Sequence, residues 1–495
     1  MAAVTPILVT DDPDIVQQPI VDRKMADEVG PEDVNLVRSG RLKIDLLVLS
    51  CIILMFIFLQ FDRTSLGQAL TDNFRKIAGV STSDINTGQT LFTLAFVLFE
   101  IPANVAIKRF GVHRWLPALM FAWGTVTWCQ MFITSKSAFY ATRFILAACE
   151  AGFIPGAAFY LGQFYSRKEM AFRYALLWSA NGIAGAIAGV LALGLLSLSG
   201  TGGLFGWQWL FLIEGVLTCA IAVFAALHLP QSPHGATSHR VFGRSFAILS
   251  EAEAEALSSR AVRDDPTKAS QSSRKVALRD FDILLDWRFY GHAVSAFLSS
   301  IMFTPINTYG PSIIKSLGFA GYTANGLSSV GSVLSLITSL SLAWNSDRTR
   351  ERGLHIMTGF LISAVGLLWL AAPPNGVAKG ILYAGIVVTQ GGMGSVQGIN
   401  AAWLSEHIQE RQRPVALASY VMSIQLASFV GSNIFTAAEA PRYSKALFIC
   451  AGCVLGAVLV AGIWKVLYAI LAKKDAAATP AASESSHEED KSSTF

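Results

Sequence analysis

The sequence predicts an all-α membrane protein of twelve transmembrane helices in two pseudo-symmetric six-helix bundles. Three observations predict it. Only 15% of the 495 residues are charged and 53% are hydrophobic, against about 25% charged in ordinary soluble proteins. Apolar runs of about 20 residues, the length that crosses a bilayer, recur along the chain. A single long polar segment, 230–287, then parts those runs into six and six.

Residues 1–42 are polar and acidic, without an apolar signal-peptide core, and read as a largely disordered cytoplasmic tail. Span one, 43–66, is the run LKIDLLVLSCIILMFIFLQ closed by FDRTSLGQAL. Span two, 88–107, ends at the basic turn KRFGVHR, and span three covers 115–134. Span four, 138–163, carries Arg143 and Glu150. Span five, 173–197, has a stripe of Gly182, Gly185 and Gly189 that suits close helix packing. Span six, 207–229, opens on the Trp-rich GWQWLFLIEG. The loop 230–287 holds SEAEAEALSSRAVRDD, a short surface helix with Ser250 as its N-cap. Spans seven and eight, 288–310 and 323–345, lead to SDRTRERG, a weak repeat of the turn after span two. Spans nine to twelve are expected at 354–371, 379–403, 414–437 and 444–472, and the Ser- and Glu-rich tail 473–495 as disordered. The domains are thus 43–229 and 288–472, joined by a cytoplasmic loop.

Lys108, Arg109 and Arg114 follow span two; Arg167, Lys168 and Arg173 follow span four; Arg348, Arg350 and Arg352 follow span eight; Arg411 and Arg413 follow span ten. This bias places those loops and both termini in the cytoplasm. The net charge of +4 is small and spread over loops, so nucleic acid is not an expected partner. All six cysteines fall in apolar runs, and the Cys450–Cys453 CxxC lacks neighbours that would hold a metal. No catalytic set or nucleotide loop lies in a polar segment, so neither an enzyme nor a cofactor is expected.

A charge at the centre of a span costs about 2.5–3.5 kcal/mol on insertion scales, so such residues tend to face the interior and function there. Asp62 and Arg63 are adjacent, point about 100° apart on a helix and need separate partners. Arg143 and Glu150 are seven apart, on one face and about 10 Å apart along the axis. A guanidinium in a dry cavity favours a carboxylate, sulfonate or phosphate. A carboxyl group beside it can exchange a proton near physiological pH. These four residues therefore read as a site that trades protons for an anion. A monoanion moving inward against a negative interior loses about 2.3 kcal/mol per 100 mV. One proton makes the cycle electroneutral; two, on Asp62 and Glu150, make it electrogenic. Glu100 reads as a helix-end or gate residue, Glu214 and His292 as packing residues, and Asp45 as an end residue. Asn307 and Tyr309 in span seven, and Gln390, Gln397 and Asn400 in span ten, are further polar candidates.

RFILAACEAGFIPGAAFYLGQFY (143–165), FEIPANVAIKRFG (99–111), GWQWLFLIEG (206–215) and GSNIFTAAEAPRY (431–443) resemble the anion:cation symporter branch of the major facilitator superfamily, nearest its fungal allantoate permease-like members. The resemblance implies the major facilitator fold, alternating access in the plasma membrane, and small organic anions, often moved with protons: ureido acids, vitamins such as nicotinate, biotin and pantothenate, or sugar acids. It implies substrate contacts at Arg63 and Arg143; Asn307, Tyr309, Gln397 and Asn400, polar on otherwise apolar helices, are the second-half candidates for shaping the pocket. Asp62 and Glu150 couple protons; Glu100, Lys108, Arg109, Asp347 and Arg348 gate. Lys108 stands where the family's loop signature usually has Asp, whereas Asp347-Arg348 keeps that signature in the second half. Span five lacks the Gly-Pro of drug/proton antiporters. Export of an acidic metabolite and a non-transporting nutrient receptor are the alternatives to symport.

Overall fold

The computed structural model describes residues 31–165, 167–241, 244–264, 278–372, 377–394, 396–409, 412–440 and 442–492. Twelve helical spans are present, at the expected places in the chain. Span one comprises Pro31–Ile44, a π-turn Asp45–Leu49 and Ser50–Ala69. Spans two and three are Thr82–Phe110 and Val112–Cys129. Span four is Lys136–Glu150 followed by Phe153–Leu161, span five Arg167–Leu196 and span six Gly206–His228. Span seven is Trp287–Ser300 followed by Phe303–Ser316, and span eight Gly321–Thr349. Span nine is Gly353–Ala371, and span ten Lys379–Met393 followed by Val396–His407. Spans eleven and twelve are Arg413–Ile434 and Ser444–Ser492.

Among the described residues, eight helices are long and apolar enough to cross a membrane by length and composition. Spans two, three, seven and ten fall outside that group, the last two each divided into two helices of fewer than 18 residues. Residues 31–42 and 473–492, expected to be disordered, are helical. Long runs of helix-favouring residues extend both ends beyond the apolar segments that defined the expected limits.

The two halves pack alike. Span three lies along six and span nine along twelve; two meets four and eight meets ten; one meets six and seven meets twelve. Adding six to each span number in the first half gives the pairing in the second. Spans one, four, seven and ten, every third in the chain, are also the ones with a π-turn or a break. The break in span four is set by Gly152, whose φ of +83° favours glycine and whose absent side chain leaves room for Ala103 of span two.

By compactness the chain divides into two units. The larger comprises Leu49–Tyr160, Ala171–Leu229 and Lys275–Phe495. Within it, hydrogen bonds joining the two halves gather at the end opposite the basic loops. Tyr309 of span seven donates to Asn86 Oδ1 at 2.5 Å, Asn86 Nδ2 donates to the Phe435 carbonyl at 2.7 Å, and Lys315 Nζ donates to the Thr71 carbonyl at 2.6 Å. The Tyr309 ring stacks on Phe435 at 5.6 Å and lies 5.3 Å from Tyr443. Side-chain packing around these bonds closes that end.

The smaller unit comprises Met1–Val48, Leu161–Met170 and Pro230–Arg274. Its helix Glu251–Asp264 starts where the sequence indicates, with Ser250 Oγ accepting from Glu253 N at 3.2 Å and Glu253 Oε2 accepting from Ser250 N at 2.8 Å. That reciprocal cap satisfies amides a helix start leaves open. Glu253 also accepts from Lys43 and Ser39, and Glu169 pairs with both Arg41 and Arg260. Asp45, expected as a plain end residue, accepts a 2.7 Å hydrogen bond from Tyr165. Backbone pairing of His239–Val241 with Arg244–Phe246 adds a short antiparallel ladder.

Candidate functional site

Arg63 and Glu150 meet directly, Nε to Oε2 at 2.7 Å, with the Glu150 side chain fully buried and that of Arg63 22% exposed. Glu150 is the last residue of its helix before the Gly152 break. Helix carbonyls there point toward it, so an ionised carboxylate needs the guanidinium nearby. Arg143 is buried two turns earlier, and its Nη2 donates to Gln89 Oε1 at 2.8 Å. Both guanidiniums lie against aromatic rings of span two: Arg143 4.5 Å from the centre of Phe92, and Arg63 5.0 Å from that of Phe96. Such faces hold a cation by its quadrupole without neutralising it.

Arg63 Nη2, Arg143 Nε and Glu150 Oε1 are buried without a hydrogen-bond partner. Buried polar atoms are normally satisfied, so a concentration of charged groups with unused donors distinguishes a site from a scaffold. Two guanidiniums against one carboxylate leave a surplus positive charge in a buried space walled by phenylalanine.

Gln89 was not among the sequence candidates. It joins Arg143 to the second half, since its Nε2 donates to Thr308 Oγ1 of span seven at 2.9 Å. Its signal in the sequence was a stripe: Gln89, Phe92, Phe96 and Glu100 recur at helical spacing on one face of span two. Glu100, half-buried, ends that stripe.

Asp62 is placed differently from the expected cluster. It is 1% exposed and faces Trp123 and Thr127 of span three, with neither carboxylate oxygen completing a hydrogen bond. One turn further along span one, Ser65 is hydrogen-bonded to Glu214 of span six. The 100° step between neighbours on a helix sends Arg63 to Glu150 of span four and Asp62 into the interior of its own half.

The second-half candidates divide. Asn400 accepts from His292 Nδ1 at 2.7 Å and donates to Ser295 at 3.1 Å, and His292 Nε2 accepts from Tyr468 at 3.1 Å. Gln397 donates to Ser299 and Ser300 and accepts from Tyr420 at 2.5 Å. Tyr309 belongs to the closed end described above. These three side chains are occupied by neighbouring helices. Asn307 is exposed and, among the described residues, makes no side-chain hydrogen bond. Its backbone carbonyl lies so close to Gly67 of span one that a side chain there would collide.

At the basic-loop end, Asp347 pairs with Arg352 and not with its neighbour Arg348, whose guanidinium lies 5.5 Å from the Trp344 ring centre. Arg352 also reaches Glu406 of span ten at 3.2 Å. Sequence reasoning counted Arg352 only among the basic loop residues and passed over Glu406. Arg109 is exposed beside Phe110, and the side chain of Lys108 lies outside the described residues. Among the described residues no group of side chains is arranged to hold a metal ion.

Comparison with known proteins agrees with this architecture. The model of the Major Facilitator Superfamily matches residues 52–432. An uncharacterized transporter of Saccharomyces cerevisiae is 30% identical over 429 residues, 84% of this chain and 76% of that protein. The MFS-type transporter efuF of Hormonema carpetanum is 29% identical over 444 residues, 88% and 87% of the two chains. Among solved structures, the xylose transporter XylE from E. coli in its inward open conformation superposes with a TM-score of 0.64 at 15% identity, covering 83% of this chain and 95% of that one. The chain belongs to the Major Facilitator Superfamily and is an integral membrane transporter.

Proposed function

We propose that the protein is a proton-coupled symporter of a small organic anion, working by alternating access in the plasma membrane with its basic loops and both termini in the cytoplasm. This places it in the anion:cation symporter branch, near the fungal allantoate permease-like transporters. One observation carries the reading: Arg63 and Arg143 converge on an aromatic floor, with Glu150 bonded to Arg63 and a donor on each guanidinium unused. A carboxylate suits that surplus charge, because the planar fork of an Arg matches two carboxylate oxygens. Glu150, already bound to Arg63, is the group whose transient protonation, as a proton passes through the site, would release Arg63 to the anion. Asn307 is the second-half residue best free to contact the cargo. The end joined by Tyr309, Asn86 and Lys315 is then the extracellular gate, closed here, and the Asp347–Arg352–Glu406 cluster belongs to the cytoplasmic one, with Glu100, Lys108, Arg109 and Arg348 around it.

The test is thermal stabilisation of the purified protein by nicotinate, biotin, pantothenate, a ureido acid and a sugar acid, at acidic and neutral pH. Stabilisation that is stronger at acidic pH and lost in Arg143→Ala is expected. Stabilisation by neutral or cationic compounds alone, or full stabilisation in Arg143→Ala, would overturn the anion site.

A further inference from the structure

We propose that Asp62 and Glu214 form one proton-holding pair inside the first six-helix half, and that this pair, separate from the anion site, seats the transported proton. The inference rests on the symport reading above and adds Glu214, a residue outside it.

The geometry begins at Ser65. Its Oγ is hydrogen-bonded both to the Phe61 carbonyl, at 2.7 Å, and to Glu214 Oε2. A serine hydroxyl has one hydrogen to give, and a carbonyl can only accept. The hydrogen can therefore serve either charge state: given to Glu214 it holds an ionised carboxylate, and given to Phe61 it leaves Ser65 Oγ to accept from a protonated Glu214. Glu214 is fully buried, and its other oxygen has no partner. Asp62, one turn back on the same face of span one, is buried with both oxygens unpartnered, facing Trp123 Nε1 and Thr127 Oγ1, which are likewise unpartnered. These atoms form a closed polar pocket of two acids and their potential partners.

The charged groups around the pocket do not neutralise it. On span one, Arg63 turns to Glu150. On span four, Arg143 turns to Gln89, and Glu150 adds a further like charge to Asp62. Span three contributes Cys129, with His113 and Arg114 far away at its start, and span six contributes Cys219, with His228 at its end. On span seven, Lys315 is held at the Thr71 carbonyl. Arg143, whose charge also faces Asp62, can balance one ionised carboxylate but not two, so in a dry interior at least one of the pair takes a proton. The occupant is a proton and not a metal cation, because the Trp123 N–H that faces Asp62 is a donor where a cation requires acceptors.

Charge balance links this pair to the cargo. With Glu100, whose charge also faces Arg63, neutral, Arg63 and Arg143 against Glu150 leave one positive charge. Without cargo, one ionised member of the Asp62–Glu214 pair balances it. With a monoanion bound, the cluster is neutral only when both members are protonated. Binding one monoanion therefore takes up one proton: an O–H bond forms on a carboxylate oxygen, the proton comes from solvent, and nothing is oxidised or reduced. The cycle is electroneutral for a monoanion.

The infrared C=O stretch of protonated carboxyl groups, measured on the full chain in lipid, tests this without a ligand. At neutral pH the band is expected to lose intensity in Glu214→Gln, to lose more in the Asp62→Asn, Glu214→Gln double variant, and to be unchanged in Glu150→Gln. The band should persist in Arg143→Ala, so failure of the anion site and failure of the pair are distinguishable. Adding a carboxylate that stabilises the wild type should enlarge the band by one carboxyl's worth. Glu214→Gln keeps the shape and the Ser65 hydrogen bond, and a wild-type-like melting temperature confirms that it folds. A band indifferent to both pair substitutions, one lost instead in Glu150→Gln, one unmoved by a stabilising anion, or one abolished by sodium at fixed pH would each overturn the proposal.

Discussion

The two halves of the membrane region share one packing plan but use their buried polar groups in opposite ways. In the first half, Asp62, Arg63, Arg143, Glu150 and Glu214 are ionisable, and each keeps at least one atom without a partner. In the second half, Ser295, Ser299, Gln397, Asn400, His292, Tyr420 and Tyr468 join in a neutral net across spans seven, ten, eleven and twelve. A satisfied neutral net fixes helices in place, whereas unsatisfied charges hold a site ready. The difference indicates that chemistry resides in the first half and that the second serves as the surface against which it opens and closes.

The strongest way to break this comparison is to change the first half without changing its charge. Arg143→Lys keeps a cation but loses the flat fork, the contact over Phe92 and the bond to Gln89. Anion affinity is expected to fall about 30- to 100-fold, or about 2–3 kcal/mol, measured as the concentration needed for half-maximal thermal stabilisation. Little change would mean that charge alone, and not the fork, selects the cargo. Glu150→Gln should keep anion binding and lose acceleration of uptake by an inward proton gradient, measured in proteoliposomes. Intact pH-driven uptake in that variant would remove Glu150 from coupling.

The converse prediction falls on the second half. Asn400→Ala leaves His292 Nδ1–H and Ser295 without their partner, and should lower stability by about 1–3 kcal/mol while leaving anion affinity unchanged. A drop in affinity with normal stability would return Asn400 to the pocket. Between these two cases lies Gln89, which touches both halves. Gln89→Leu cuts the link from Arg143 to Thr308 and should favour opening of the closed end by about 1 kcal/mol. The measure is the distance between spin labels at Thr87 and Ala438; an unchanged distribution would make Gln89 a partner of Arg143 only.

What the sequence revealed follows the same physical divide. Helix existence is a matter of apolar length, and all twelve spans could be read from it. Glu100, Arg143 and Glu150 could be singled out because charge in a span is costly wherever it points. Rotation about the helix axis is a tertiary property. Adjacency showed that Asp62 and Arg63 diverge, but not that Asp62 turns toward span six. Nor could polarity separate Asn400, occupied by His292, from Asn307, left exposed, since a partner three spans away carries no local signal. Gln89 is the converse case: its stripe with Phe92 and Phe96 was there to read, but an uncharged residue in a span does not draw the eye.

The smallest effect lies in the smaller unit. Burial pushes the Glu253 carboxyl up, but hydrogen bonds from Lys43, Ser39 and the Ser250 amide outweigh it, leaving the group at about 2 against an ordinary 4.5. A carboxyl lowered on folding adds stability that is present above its unfolded value and lost as pH falls through the folded one. The helix Glu251–Asp264 should therefore loosen between about pH 4.5 and pH 2. Lys43 is 43% exposed, so solvent screens the pair and the contribution is about 1 kcal/mol or less. Hydrogen exchange of residues 251–264 in the full chain, corrected for intrinsic rates, should show this loosening in the wild type. Glu253→Gln should be looser at neutral pH and indifferent to the same pH change. Parallel pH responses in the two proteins would show that another acid, such as Glu169 between Arg41 and Arg260, governs the region.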